Sequence, residues 1–144
     1  MSPMPALAAA PAAASSSASA VISAARALLP NLERGQSLDA AALRAAMVSA
    51  CGGSDAEGAW TWKEAYEAGE AAQVLFLRKF GSTMRTAPPH RFLSMLDRVA
   101  VLLPSQTRRS PESQAMQQFS TPIPLGSVVA LAAGIGPADL VLEP

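Results

Sequence analysis

A chain with one histidine and one cysteine has few routes to covalent chemistry. His90 stands beside two prolines in APPH at 87–90, where a loop is expected, and reads as ordinary surface. Cys51 precedes Gly52-Gly53 and reads as a small, partly buried residue. A nucleophile needs a base within hydrogen-bond reach, and no second histidine exists to serve Cys51. A single cysteine also excludes an intramolecular disulfide and a cysteine-built zinc site. Glu64, Glu67 and Glu70 offer carboxylates, but on a charged helix face such groups are solvated. Trp60, Trp62 and Tyr66 have ring faces on which nucleic-acid bases could stack. Their helical spacing beside other apolar residues favours core packing instead. No phosphate loop and no metal-ligand constellation is present.

The elements that must carry these residues are mostly helical. Val21, Ile22, Ala25, Leu28 and Leu29 form one apolar face, so a helix is expected from Ser17 or Ala18 to Leu29, stopped by Pro30. A second is expected from Leu38 to about Ala50, with Ser37 as N-cap and Gly52-Gly53 as its end. The third opens on Thr61 and Glu64, a capping-box pair. Trp62, Tyr66, Gly69, Gln73, Phe76 and Phe80 then recur at helical steps, with Gly81 as the expected stop. Val74, Leu75 and Leu77 widen that face, which predicts deeper burial toward its C-terminal end. A fourth is expected from Arg91 to Leu103. Ser110, Pro111 and Glu112 read as a short helix start reaching Phe119. LGSVVALAAG then predicts a short apolar helix ending near Gly134 or Gly136. DLVLE, at 139–143, predicts a strand buried on both faces.

The chain has 144 residues, enough for one modest domain, and 11 acidic residues balance 11 basic ones. Net charge therefore argues for neither nucleic acid nor membrane. Locally the balance breaks. Residues 54–70 hold five acids against Lys63, and residues 71–109 hold seven bases against Asp97. The basic stretch is compatible with a phosphate backbone or with a solvated face. No charged residue precedes Arg26, so PALAAAPAAASSSASA lacks the positive start of a secretory leader. Residues 1–17 are expected to be a disordered Ala/Pro/Ser tail. No apolar run reaches the ~18 residues of a membrane span, which is compatible with a cytoplasmic protein.

An apolar strand ending in an acid before a turn is how a nucleotide-binding sheet usually begins. The joint pattern is Ser120-Thr121-Pro122, an apolar helix, then Asp139-Leu-Val-Leu-Glu143-Pro144. It resembles class I S-adenosylmethionine-dependent methyltransferases, especially the N6-adenine DNA methyltransferases. Upstream, GGSDAEGAWTWKEAYEAGEAAQVLFLRKFG and LLPSQTRRSPESQAMQQFSTPIPLG resemble the N-terminal region of bacterial strawberry notch-type proteins. In these a methyltransferase-like domain precedes a helicase-type NTP hydrolase.

That resemblance spans roughly residues 22–144. It implies a mainly α chain: a helical accessory domain at 18–104, then at 105–144 the first helix and strand of a truncated Rossmann-like α/β methyltransferase domain. Thr121 and Pro122 would lie against the methionine part of S-adenosylmethionine, and Glu143 and Pro144 would open the cofactor motif. Arg108 and Arg109 would contact phosphate. The implied partners are DNA and the downstream methyltransferase and helicase domains. The family's glycine turn would follow Pro144, and its D/N-P-P-Y/F/W catalytic motif has no match here. The chain alone is therefore expected to be inactive. The alternative is a stand-alone helical interaction or DNA-binding module.

Overall fold

The computed structural model describes residues 12–104, 121–136 and 138–141, with side chains described from Ser17 onward. Among these residues lie five helices: α1 (Ala12–Glu33), α2 (Ala40–Cys51), α3 (Trp62–Met84), α4 (Pro89–Ala100) and α5 (Ile123–Ala132). No strand occurs among them.

α1 and α3 are the long elements, and they run parallel. Ser17 donates to Glu64 near their starts, and Lys79 donates to Glu33 near α1's end. The two contacts have nearly the same sequence offset, 47 and 46 residues, as parallel helices in fixed register require. Small side chains make the seam. Ala24 and Ala25 on α1 and Ala65, Ala68 and Ala72 on α3 have no exposed surface. α2 returns the chain antiparallel to both, putting Leu38, Leu43 and Met47 into the same core.

α4 then folds back along the second half of α3. Gln73 is 6% exposed, and its amide donates to the Val99 carbonyl at 2.9 Å, bonding a buried polar group that would otherwise be penalised. The Leu38 N–H donates to the Leu102 carbonyl at 2.7 Å, so the end of α4 abuts the start of α2. α2 and α4 thus cover successive halves of α3. α5 packs on α4 and has no buried residue.

Several expected boundaries shift for local reasons. α1 starts at Ala12, inside the expected tail, and continues through Pro30 to Glu33. Proline removes one helical donor and crowds the preceding turn, but the extra turn buries Leu32, which is 2% exposed. α2 takes Asp39 rather than Ser37 as N-cap, because the Asp39 carboxylate accepts the Ala42 N–H at 2.8 Å. α3 passes Gly81 and ends at Met84. α4 starts two residues early and stops at Ala100, which places His90 in its exposed first turn rather than in a loop.

The face of α3 is also displaced. Its buried residues are Ala65, Ala68, Gly69, Ala72 and Gln73, all in its first half, while Val74 is 54% exposed. The expected burial at the C-terminal end is wrong. Alanines, not the aromatic series, form the seam, because parallel packing on α1 leaves little room for larger groups.

The expected strand is the largest correction. Asp139 folds back, its carboxylate accepting the Gly136 N–H at 2.6 Å, and residues 139–141 are neither paired nor buried. Leu140 is 101% and Val141 60% exposed. A strand needs a neighbour to pair its backbone, and the described residues offer none. The rest of that segment, including Glu143 and Pro144, lies outside the described residues, as does the expected helix at 110–119.

Gly69 gives a test of the packing. A methyl group there would sit 3.5 Å from Leu43 Cδ2 and 4.0 Å from Leu38 Cδ1, ordinary contact distances. Gly69→Ala should raise stability by about 1 kcal/mol, the helix penalty of glycine, and Gly69→Leu should lower it. Thermal melts followed by circular dichroism check both; a lower midpoint for the alanine variant would mean the helices are closer than described.

Candidate functional site

The residues implied to meet S-adenosylmethionine divide. Thr121 and Pro122 are described and exposed at the entry to α5. Pro122 is the N-cap residue, without a side-chain cap, and its carbonyl accepts the Gly126 N–H at 3.0 Å. The Thr121 methyl lies over Gly126, 3.9 Å from where a β-carbon would stand. Thr121 therefore presents its side chain at the surface of the first turn, where it can meet a ligand or a following segment. Glu143, Pro144, Arg108 and Arg109 lie outside the described residues.

The aromatic residues form a second constellation. Trp60 is 3% exposed, and its indole N–H donates to the Gly53 carbonyl at 3.0 Å. Trp62 meets Trp60 edge-on, with ring centroids 5.5 Å apart at 73°, and Tyr66 stands 6.1 Å further along. The Trp62 indole donates to Asp55 Oδ2 at 3.1 Å, and Arg44 reaches the same oxygen at 3.4 Å. The Arg44 guanidinium lies 5.4 Å from the Trp62 ring centroid. A base would have to displace that cation to reach the ring face. The aromatics therefore hold the 52–61 connection onto α2 and α3, as the packing alternative expects. Arg44 and Asp55 were not legible as a pair, because Asp55 lies in a loop where helical periodicity gives no signal.

Beside this brace lies a groove of about 860 Å³ between α2 and α3, lined by α2 from Ala40 to Ser49 and by Trp62 and Tyr66. Its volume is in the range of ligand pockets. Its wall is alanine-rich, with Arg44 the one charged lining residue, and Arg44 is already paired with Asp55.

The connection itself depends on close contacts. Glu57 accepts both the Ser54 N–H and the Ser54 hydroxyl at 2.7 Å, which holds its carboxyl below the usual range. A β-carbon on Gly53 would stand 2.9 Å from that of Ala59, so the turn requires glycine there. Cys51 is half-buried with its thiol pushed up, first by burial and then by Glu64, so it is held away from the reactive thiolate. Among the described residues no group of three or more His, Cys, Asp or Glu could hold a metal ion.

Glu64 is the electrostatic centre of this end. It completes the capping box, accepting the Thr61 N–H at 2.7 Å while Thr61 Oγ1 accepts the Glu64 N–H. It also accepts from Ser17 on α1. The Ser17 hydroxyl does most to hold its carboxyl below the ordinary value of 4.5; burial opposes the shift, and Thr61 and Lys63 reinforce it. A depressed carboxyl pKa stabilises the fold above the unfolded-state value, and that stability is lost as pH falls through the folded-state value. Glu64→Gln should therefore lose about 1 kcal/mol at pH 7 and show a smaller loss than the parent between pH 7 and pH 3. Urea titrations of both proteins at the two pH values measure this; equal losses on acidification would mean Glu64 does not link α1 to α3.

The chain matches no protein-family description, and no characterised protein or solved structure shows significant similarity to it.

Proposed function

We propose that the chain is the N-terminal region of an S-adenosylmethionine-dependent DNA methyltransferase fused to a helicase-type NTP hydrolase, and is inactive alone. Residues 18–104 act as a helical accessory domain. Residues 105–144 lead into the methyltransferase fold, with Thr121, Pro122, Glu143 and Pro144 on the cofactor side and Arg108 and Arg109 toward phosphate.

One observation carries this reading. Among the described residues eleven large hydrophobic side chains are exposed, and seven lie between Leu125 and Val141. Single exposed apolar residues need no explanation, but a run of this kind marks a surface meant for cover. α5 has no charged residue, and an all-round apolar helix belongs inside a larger fold. The first helix of a methyltransferase domain, ahead of the sheet that would enclose it, has this character. Among the described residues no helix is long and apolar enough to cross a membrane, so lipid is not the expected cover.

The second reading is a stand-alone helical interaction or DNA-binding module. It is favoured by the core at 17–104, where no described buried side-chain polar atom lacks a partner.

Two measurements separate the readings. Calorimetry with S-adenosylmethionine should show no micromolar binding to the 144-residue chain, and a dye specific for exposed apolar surface should bind it. A longer chain that continues past Pro144 with a glycine-rich turn should lose the dye signal and protect the α5 amides from hydrogen exchange. Micromolar cofactor binding by the 144 residues alone would overturn the incomplete site, and a continuation without the glycine turn would overturn the family.

A further inference from the structure

The groove between α2 and α3 opens where α4 ends. Gln73 of α3 donates to the Val99 carbonyl. Leu103, four residues further along the chain, lies 4.0 Å from where a β-carbon would stand on Gly69, four residues back on α3. The chain from Val99 to Leu103 therefore runs antiparallel to α3, toward its start. Gln73, Gly69, Tyr66 and Trp62 are spaced four, three and four apart, one stripe of a helix. The next residues on that stripe, Tyr66 and Trp62, form one wall of the groove. The other wall begins at Ala40, two residues after Leu38, whose N–H is bonded to the Leu102 carbonyl at 2.7 Å.

The segment between α4 and α5 has the length to enter the groove and leave it. Residues 105–120 are 16 in number. They lead to α5, which packs back on α4, and a link between neighbouring helices needs only ~2–8 residues. Fully extended, the segment spans ~53–58 Å at ~3.3–3.6 Å per residue. The groove follows α2 from Ala40 to Ser49, ~14 Å at ~1.5 Å per residue. The chemistry also matches. The segment's large apolar side chains are Met116 and Phe119, and its one acid is Glu112. The groove offers Trp62, Tyr66 and Val48, which is 38% exposed, and a single charge, Arg44. A thioether and a phenyl ring both pack well on aromatic side chains. Arg44 donates to Asp55 at 3.4 Å, and a guanidinium has five donors, so it can also serve Glu112.

We propose that residues 112–119 dock in the groove between α2 and α3, with Met116 and Phe119 against Tyr66, Val48 and the groove side of Trp62, and Glu112 toward Arg44. The contact is intramolecular and ties the core at 17–104 to the chain that enters α5. It rests on neither the cofactor nor the DNA of the function proposed above. A second copy or a separate peptide is the weaker occupant, because a segment tethered at the groove's mouth competes at an effective concentration on the order of millimolar.

The test is acrylamide quenching of tryptophan fluorescence in the 144-residue chain. Trp60 is buried and Trp62 lines the groove, so changes in quenching report Trp62. Met116→Ser/Phe119→Ser should increase quenching and shift the emission to longer wavelength. Ala45→Glu, which fills the groove from its exposed α2 wall, should do the same without altering the segment. Leu125→Ser/Val129→Ser, on exposed α5 surface, should change neither, and circular dichroism should show all variants folded. Unchanged quenching in either of the first two variants would overturn the proposal. An equal increase in the α5 variant would overturn it by placing Met116 and Phe119 on α5 instead. Quenching of the parent chain that rises on tenfold dilution would overturn it in favour of a second copy. Cofactor binding and the continuation past Pro144 have their own measurements, so the two proposals fail separately.

Discussion

The parallel pairing of α1 and α3 is the constraint on which the rest of the structure depends. Two helices of the same direction cannot be joined by a short turn, so the chain must return between them, and α2 is that return. The seam is built from alanine, which brings helix backbones close and has no side-chain entropy to lose. Parallel alignment also places like ends of two helix dipoles together, an unfavourable arrangement. Glu64 offsets the positive end of α3 and clasps α1 through the Ser17 hydroxyl, and Lys79 offsets the negative end of α1 while neutralising Glu33. These polar clasps fix the register that the alanines, lacking shape, specify weakly.

The second half of α3 is organised differently, and Gln73 marks the change. Before it, α1 and α2 cover α3; after it, α4 takes the place of α2, with its end tied to Leu38 at the start of α2, while α1 continues alongside as far as the Glu33–Lys79 pair. A buried amide at this junction is more selective than an apolar residue, because it requires the Val99 carbonyl at one position along α3. Gly69, four residues earlier, lies where Leu38, Leu43 and Leu103 converge. Three helices and the end of a fourth therefore meet within about one turn of α3, and beyond that turn Leu75 and Phe76 still pack against the core.

What the sequence made legible was local chemistry. Thr61 and Glu64 announced their capping box, Gly52 its left-handed cap with φ 74°, and the apolar run at 125–132 its helix. What was hidden was tertiary choice. The aromatic series at Trp62, Tyr66, Phe76 and Phe80 has the stronger hydrophobic pattern, yet the parallel contact selects the neighbouring alanine stripe. Pro30 has the right chemistry for a stop, yet the burial of Leu32 carries the helix past it. DLVLE has strand composition, but pairing depends on a neighbour, and composition cannot supply one. Of the implied cofactor-side residues, Thr121 and Pro122 lie on described surface, and their role depends on groups beyond it.

The two halves of the chain's polarity have different consequences. The acidic end is consumed by structure: Glu64 caps and clasps, Glu57 closes its turn, and Asp55 holds Trp62 and Arg44. Among the described residues Arg78, Arg85, Arg91 and Arg98 have no side-chain hydrogen bond or ion pair. Exposed charge has little effect on the stability of the fold, since surface pairs contribute at most ~1 kcal/mol, so these arginines are not accounted for by folding. The same reasoning applies to α5. Its apolar side chains add little to the core built by α1 to α4, and its surface remains open. Core and capping residues explain why residues 17–104 fold; the exposed arginines and the uncovered helix contribute little to that core.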